Sequence, residues 1–304
     1  MSCLILSFPC FSVQSGDLLI QFDLVIVIDW SAAASPGPQK PSADRCWIAW
    51  QSRNHMSEAE YFRTRYACME RLQTLLLENP GNALLAFDFP FGYPVGSGLG
   101  GGRSAGRIIS KDMVSSQQDL NNRFDVAAIL NSQISLAPGP FWGHPISRNF
   151  SALTRKKPAF NHAGFSEWRL VEKRLRDRSY PIMNVWQLLG QGSVGSQTLT
   201  GLFELLKLAE NPDFGDRVRY WPFETDWNAC LDGIVLAELW PSLGKHQEID
   251  HPIKDARQVL ASRNWLSREQ KAGRIRSVFA PPSSLTALEK SQCETEEGWI
   301  LGVG

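Results

Sequence analysis

Apolar runs along the chain are short and are separated by turns rich in Gly, Pro and Ser. The clearest run opens the stretch Leu24 to Ser35, Leu-Val-Ile-Val-Ile-Asp-Trp-Ser-Ala-Ala-Ala-Ser. Its apolar residues are mostly β-branched and show no polar alternation, which predicts a strand covered on both faces. The run ends in Asp29, and the small residues after it keep the adjoining turn open to close approach. Cys46–Trp50 and Glu60–Phe62 predict two further strands, the first returning as a hairpin after the Pro-rich turn 35–41. Apolar residues recur at helical spacing over 63–77 and stop at Asn79-Pro80-Gly81. Ala83–Phe87 predicts a second buried strand, and it too ends in an acid, Asp88. The Gly- and Pro-dense stretch 89–106 reads as loop, 119–136 as helix, and 138–161 as irregular chain with interleaved aromatic and basic residues. A charged helix, solvated on most sides, is expected over 167–178. A glycine-rich turn, Gly190 to Gly195, leads into a helix from about Ser196. Strands over 218–223 and 233–240 carry Glu224 and Glu238. Asp255 opens a last helix, and 294–304 is expected to fold back onto the domain. The plan is α/β: one domain over 24–304 with a helical and loop insertion around 95–215, preceded by a poorly ordered extension over 1–23.

Composition narrows the function classes. Of 304 residues, 43% are apolar and 20% charged, and 31 basic residues balance 31 acidic ones, so no global basic field exists to drive non-specific nucleic-acid binding. Six cysteines are scattered without a C-x-x-C pair, and five histidines show no H-x-x-x-H spacing, which argues against zinc. Buried free thiols and a cytoplasmic setting are expected. The first 22 residues hold no Lys or Arg, unlike a secretory signal, and no run approaches the length of a membrane span.

The candidate chemistry lies in the repeated strand ending, Ile-Val-Ile-Asp at Asp29 and Leu-Ala-Phe-Asp at Asp88. Adjacent parallel strands would set these acids on one rim, where two like charges call for a proton or a cation between them. Magnesium, an oxygen-seeking ion that keeps some of its water, suits such a rim. The competing reading makes both acids strand-end turn formers. Trp142 and the stretch 148–157 offer aromatic and basic groups for bases and phosphates, against the plainer reading of an aromatic and basic surface loop.

Asp-Trp-Ser-Ala-Ala at 29–33, Asp-Phe-Pro-Phe-Gly-Tyr-Pro at 88–94, Ala-Glu-Leu-Trp-Pro-Ser at 237–242 and Lys-Asp-Ala at 254–256 resemble the motifs of the ribonuclease-H-like nuclease family classed as domain of unknown function 429, in a divergent branch. The resemblance implies a ribonuclease-H-like (actin-like) mixed sheet: three antiparallel strands, a helix, then parallel strands. It implies Asp29, Asp88 and Asp255 as ligands of Mg2+ (or Mn2+) and Glu238 as a fourth ligand or general base. The activity implied is a magnesium-dependent nuclease or phosphodiesterase acting on nucleic acid or a phosphorylated small molecule. Trp30-Ser31-Ala32 stands where the commoner members carry a glycine-containing turn.

A literal G-x-G-x-x-G at Gly190, Gly192 and Gly195 lacks the preceding strand of a dinucleotide site. The alternative is a phosphate-contacting loop built from Gly192, Ser193, Gly195, Ser196 and Gln197 at a helix N-terminus, with Ser31 contributing from the first turn. Two other functions fit the same residues. One is an ATP-dependent phosphotransferase of the actin-like fold, its phosphates cradled by the turn 31–35. The other is a non-catalytic binding module, of a kind sometimes linked to molybdopterin-type cofactor assembly.

Overall fold

A computed structural model describes residues 22–244 and 246–304. Most of the expected extension, 1–21, lies outside the described residues. Phe22 already belongs to the folded part, buried with its ring 5.8 Å from that of Phe279.

Six strands form one mixed sheet: β1 (Leu24–Asp29), β2 (Cys46–Ser52), β3 (Glu60–Phe62), β4 (Ala83–Phe87), β5 (Val218–Tyr220) and β6 (Ile234–Glu238), in the order β3-β2-β1-β4-β6-β5. β2 is antiparallel to β1 and β3, while β1, β4, β6 and β5 run parallel. Ile28 pairs with Phe87, and Phe87 pairs with Glu238, so the acids that follow or end these strands meet at one edge of the sheet. The expected strands are therefore present, with β5 and β6 somewhat shorter than their apolar runs.

The three central strands are buried throughout because both faces are covered, which is why their sequences show no alternation. Leu24, Ile26 and Ile28 join one core with Ala83, Leu85, Phe87, Ile234 and Leu236. Helices α1 (Arg65–Glu78), α2 (Gly102–Ser110), α3 (Arg123–Ile134) and α5 (Val194–Glu210) add to it, together with residues of β2, β5 and the loops. Val25, Val27, Leu84, Ala86, Val235 and Ala237 point the other way. There they meet α4 (Leu170–Asp177), α6 (Lys254–Lys271) and the segment Trp299–Val303. The expected return of 294–304 is present, with Leu301 N donating to Glu238 O at 3.0 Å.

Two expectations are corrected. The stretch 89–106 is not all loop, because α2 begins at Gly102. Its glycines serve packing: a Cβ at Gly102 would press on Phe223, and one at Gly106 would stand 3.1 Å from Leu202 O on α5. The charged segment 167–178 is not a solvated helix either. Arg169 and Glu172 are wholly buried beside Val171 and Leu175. Among the described cysteines Cys46, Cys68 and Cys293 are free and buried, as expected, whereas Cys230 is disulfide-bonded. No helix among the described residues is long and apolar enough to cross a membrane.

Gly201 on α5 sits directly over Phe89, whose ring occupies the space a Cβ would need. Gly201→Val should therefore destabilise the fold by about 1–3 kcal/mol through overpacking, measured by urea denaturation. Gly201→Ala should cost less.

Candidate functional site

The end of β1 and the end of β4 are tied together through the backbone of Trp30. Its N–H donates to Asp88 Oδ1 at 2.7 Å, and Asp88 N in turn donates to Ile28 O at 3.2 Å. Gln197, in the first turn of α5, donates from one amide nitrogen to Trp30 O at 2.6 Å and to Asp88 Oδ2 at 3.3 Å. The Trp30 indole is buried against Phe87 and Phe89 and donates to Thr200 Oγ1 at 3.2 Å. A bulky residue in the turn is thus accommodated by turning inward, leaving only its backbone at the site.

Asp255 enters from the first turn of α6 and accepts from Asp44 N at 2.7 Å. Asp44 has φ of 57°, a left-handed conformation that Asp tolerates better than most residues, and this turns its N–H toward Asp255. Its carbonyl accepts from Ser31 Oγ at 3.1 Å. Ser31 Oγ also accepts from Ala33 N at 3.2 Å, so the hydroxyl closes a local turn and fastens it to the loop before β2. The ligand-binding role expected for Ser31 is replaced by a structural one.

The electrostatics mark the acids. Asp29 is 8% exposed and no donor among the described residues hydrogen-bonds its carboxylate. Burial first, then the charges of Asp88 and Asp255, hold its pKa well above the ordinary carboxylate value. Asp88 is pushed up to about 7, mainly by burial and against the pull of the Trp30 N–H and the Gln197 amide. Asp255 is raised by burial, with the Asp44 N–H opposing. Each of the three expected aspartates therefore feels at least one of the others, and none has an ion-pair partner among the described residues. They do not form a ready-made cage: no group of three or more His, Cys, Asp or Glu side chains among the described residues is drawn together closely enough to hold a metal ion as it stands. Asp88 is turned to Trp30 and Gln197, and Asp255 to Asp44.

Glu238 lies on the same edge but has another partner. Arg169 grips both its oxygens at 2.7 Å, binds Glu172 through Nε at 2.8 Å and reaches Glu297 O at 2.9 Å, with every side chain in the cluster buried. Phe91 N adds a donor to Glu238 at 3.3 Å. Burial pushes Glu172 up to about 7 even beside this guanidinium. A carboxylate so occupied is not free to act as a base or to bind metal, and the structure gives Glu238 the work of joining β6 to α4.

The glycine-rich turn is likewise satisfied from within. Val194 N donates to Gly192 O, Gly195 N to Gln187 O and Ser196 N to Ser193 O, at 2.9–3.1 Å. Ser196 Oγ donates to Leu188 O at 2.6 Å and accepts from Arg123 Nε at 2.9 Å. A Cβ at Gly195 would strike Val185 O, and Ser193, the N-cap, makes no side-chain cap bond. Of the phosphate loop expected of Gly192, Ser193, Gly195 and Ser196, the Gly195 and Ser196 N–H groups and the Ser196 hydroxyl are already spent on protein carbonyls, so these donors lend it no support. Farther away, Arg148 pairs with Asp125 at 2.6 Å, and Trp142 Nε1 is buried without a partner.

Sequence reasoning gave Gln197 a phosphate to bind, and missed Asp44, Arg123 and Arg169. No local signal marks the last three, because each matters through a partner at least 69 residues away. Compared with known proteins, the chain matches no family model, no curated protein and no solved structure.

Two outcomes follow. Asp88 holds its proton to a higher pH folded than unfolded, so the stability it contributes is complete below about pH 4 and is lost as pH rises through about 7. In a chelator the melting temperature should fall across that window, and Asp88→Asn should flatten the fall, seen by calorimetry from pH 4 to 8. Arg169→Met leaves Glu238 and Glu172 buried without a counter-charge and should cost about 3–5 kcal/mol in chemical denaturation.

Proposed function

We propose that the protein is a divalent-metal-dependent hydrolase of phosphoester bonds, built on a ribonuclease-H-like core. Three antiparallel strands, a helix, then parallel strands on the far side of β1 are the order that such a core has, and the sheet order supports the reading. The observation that carries it is Asp29: a nearly buried carboxylate with no hydrogen-bond donor and no ion-paired side chain among the described residues, in the field of two more carboxylates. A buried charge of this kind is stable only with a proton or a positive partner.

The donors fit a hard cation in kind, being carboxylate oxygens only, and Mg2+ or Mn2+ is the class of ion that such a set prefers. Asp29 and Asp88 would hold it, with Asp255 reaching in from α6. The ion would supply positive charge to a phosphoryl oxygen and lower the pKa of a bound water. The remaining work belongs to the chain. Trp30 N–H and the Gln197 amide fix the direction of the Asp88 carboxylate, and the left-handed Asp44 fixes that of Asp255. Bonds of this kind keep first-contact ligands in place and tune their basicity. Glu238 has no part in this chemistry. The bonding of the turn 31–33 to its own hydroxyl and to Arg65 lends no support to a nucleotide cradle there.

Purified protein should hydrolyse a phosphodiester such as bis-p-nitrophenyl phosphate or an RNA or DNA oligonucleotide with Mg2+ or Mn2+, and lose activity in chelator. Asp29→Asn should lower kcat about a hundredfold or more, since metal-borne charge stabilisation is worth several kcal/mol. It should also abolish the rise in melting temperature that the metal gives the wild type at pH 8. Equal hydrolysis by Asp29→Asn would remove the proposal.

A further inference from the structure

Two buried arginines border the turn after β1, and they are bonded differently. Arg65 donates to Ser31 O, Ala33 O and Asp119 O at 2.7–3.0 Å and faces the Asp119 carboxylate at 3.5 Å. Arg123, the first residue of α3, is 9% exposed; its guanidinium lies over the Phe124 ring at 4.3 Å, and its hydrogen-bond acceptors are all neutral. Its Nε donates to Ser196 Oγ and its Nη1 to Asn121 Oδ1, each at 2.9 Å. Its Nη2 makes no hydrogen bond to the described protein. The acids nearest in sequence are taken by others, Asp119 by Arg65 and Asp125 by Arg148. On α5, Glu204 is held by Lys207 at 2.7 Å. Burial, with Arg65 adding repulsion, lowers the Arg123 pKa to about 10.

A guanidinium taken out of water without a counter-charge is costly, and proteins keep such groups where an anion is received. The partners of Arg123 say where that anion would lie. Ser196 precedes Gln197, which bonds Asp88 and Trp30, while Asn121 donates to Ala33 O at 3.1 Å. Arg123 is therefore joined to the residues around the carboxylate rim by two routes, through Asn121 to Ala33 and through Ser196 to its neighbour Gln197. An acidic rim repels a phosphoester, and a fixed cation linked to that rim offsets the repulsion and orients the substrate by a planar, two-pronged contact.

We propose that the free edge of Arg123 forms an anion subsite that receives a phosphoryl group of the substrate beside the Asp29–Asp88 rim. Calling that anion part of the substrate rests on the phosphoester reading; the anion binding itself does not. Arg123 is a binding residue here, and the two neutral acceptors hold its fork in place.

Inorganic phosphate, titrated into metal-free protein at low salt and followed by 31P NMR or calorimetry, is the test. Wild type should bind it, and Arg123→Met should bind about tenfold or more weakly, the loss expected of a charge-assisted bidentate contact. Arg123→Lys keeps a charge but not the fork, and should bind about three- to tenfold more weakly. It decides the matter if Arg123→Met does not fold. Asp29→Asn should bind phosphate at least as well as wild type. No binding by wild type, or wild-type binding by Arg123→Lys and Arg123→Met, overturns the subsite. Failure of the hydrolase reading shows differently: hydrolysis unchanged in Asp29→Asn while Arg123-dependent phosphate binding persists.

Discussion

Two parallel strands that share hydrogen bonds in register both run into a carboxylate, and that single constraint shapes this end of the molecule. At the edge of a sheet buried on both faces, charge has little water to stabilise it, and the repulsion between Asp29 and Asp88 is correspondingly strong. The surroundings respond by supplying dipoles in place of cations. A backbone N–H and an amide meet Asp88, and another backbone N–H meets Asp255. Asp29 receives no donor among the described residues. The site is left electrostatically incomplete on one side, whereas the neighbouring acid on the same edge, Glu238, is fully neutralised by Arg169. Evenly spaced strand ends thus carry opposite fates, and the difference is set by which residue the insertion brings to each.

Much of this was legible in the sequence. Unbroken apolar runs identify β1, β4 and β6 because a doubly covered strand needs no polar face, and parallel register brings the acid that ends β1 level with the acid after β4. The helix whose first turn carries Asp255 was legible as a helix-compatible stretch. What was not legible has a common physical cause. Arg169 and Glu172 look solvated in a segment dense in charge, yet they neutralise one another and a distant glutamate, and mutual pairing leaves no trace in local composition. The glycines of α2 suggest loop, but they are there so that the helix can approach Phe223 and α5. The glycine-rich turn before α5 suggests a phosphate cradle, and the same small residues instead let the chain bond to itself. Motif letters record where the backbone comes close to something, not what it comes close to.

Trp30 illustrates how a large residue beside the first acid is absorbed. A large side chain after the first acid would block a site if it pointed outward, but its indole fills the core beside Phe87 and Phe89 and bonds Thr200 on α5. The same residue then serves Asp88 and Gln197 through its N–H and C=O. Sheet, turn and helix are fixed by one residue, and α5 is aligned at both its first and second turns.

The caging of Arg169 also bears on how the chain acquires its structure during synthesis. All six strands have been made once Glu238 has emerged, but the guanidinium that neutralises it is held by the Glu297 carbonyl, and Glu297 itself accepts from Val95 N at 3.0 Å. A nascent chain that has completed the sheet still has the edge of β6 and the loop after β4 unfastened until the segment around Glu297 arrives. The same late stretch carries Trp299–Val303, so the ionic core and the second apolar layer are completed by one and the same piece of chain.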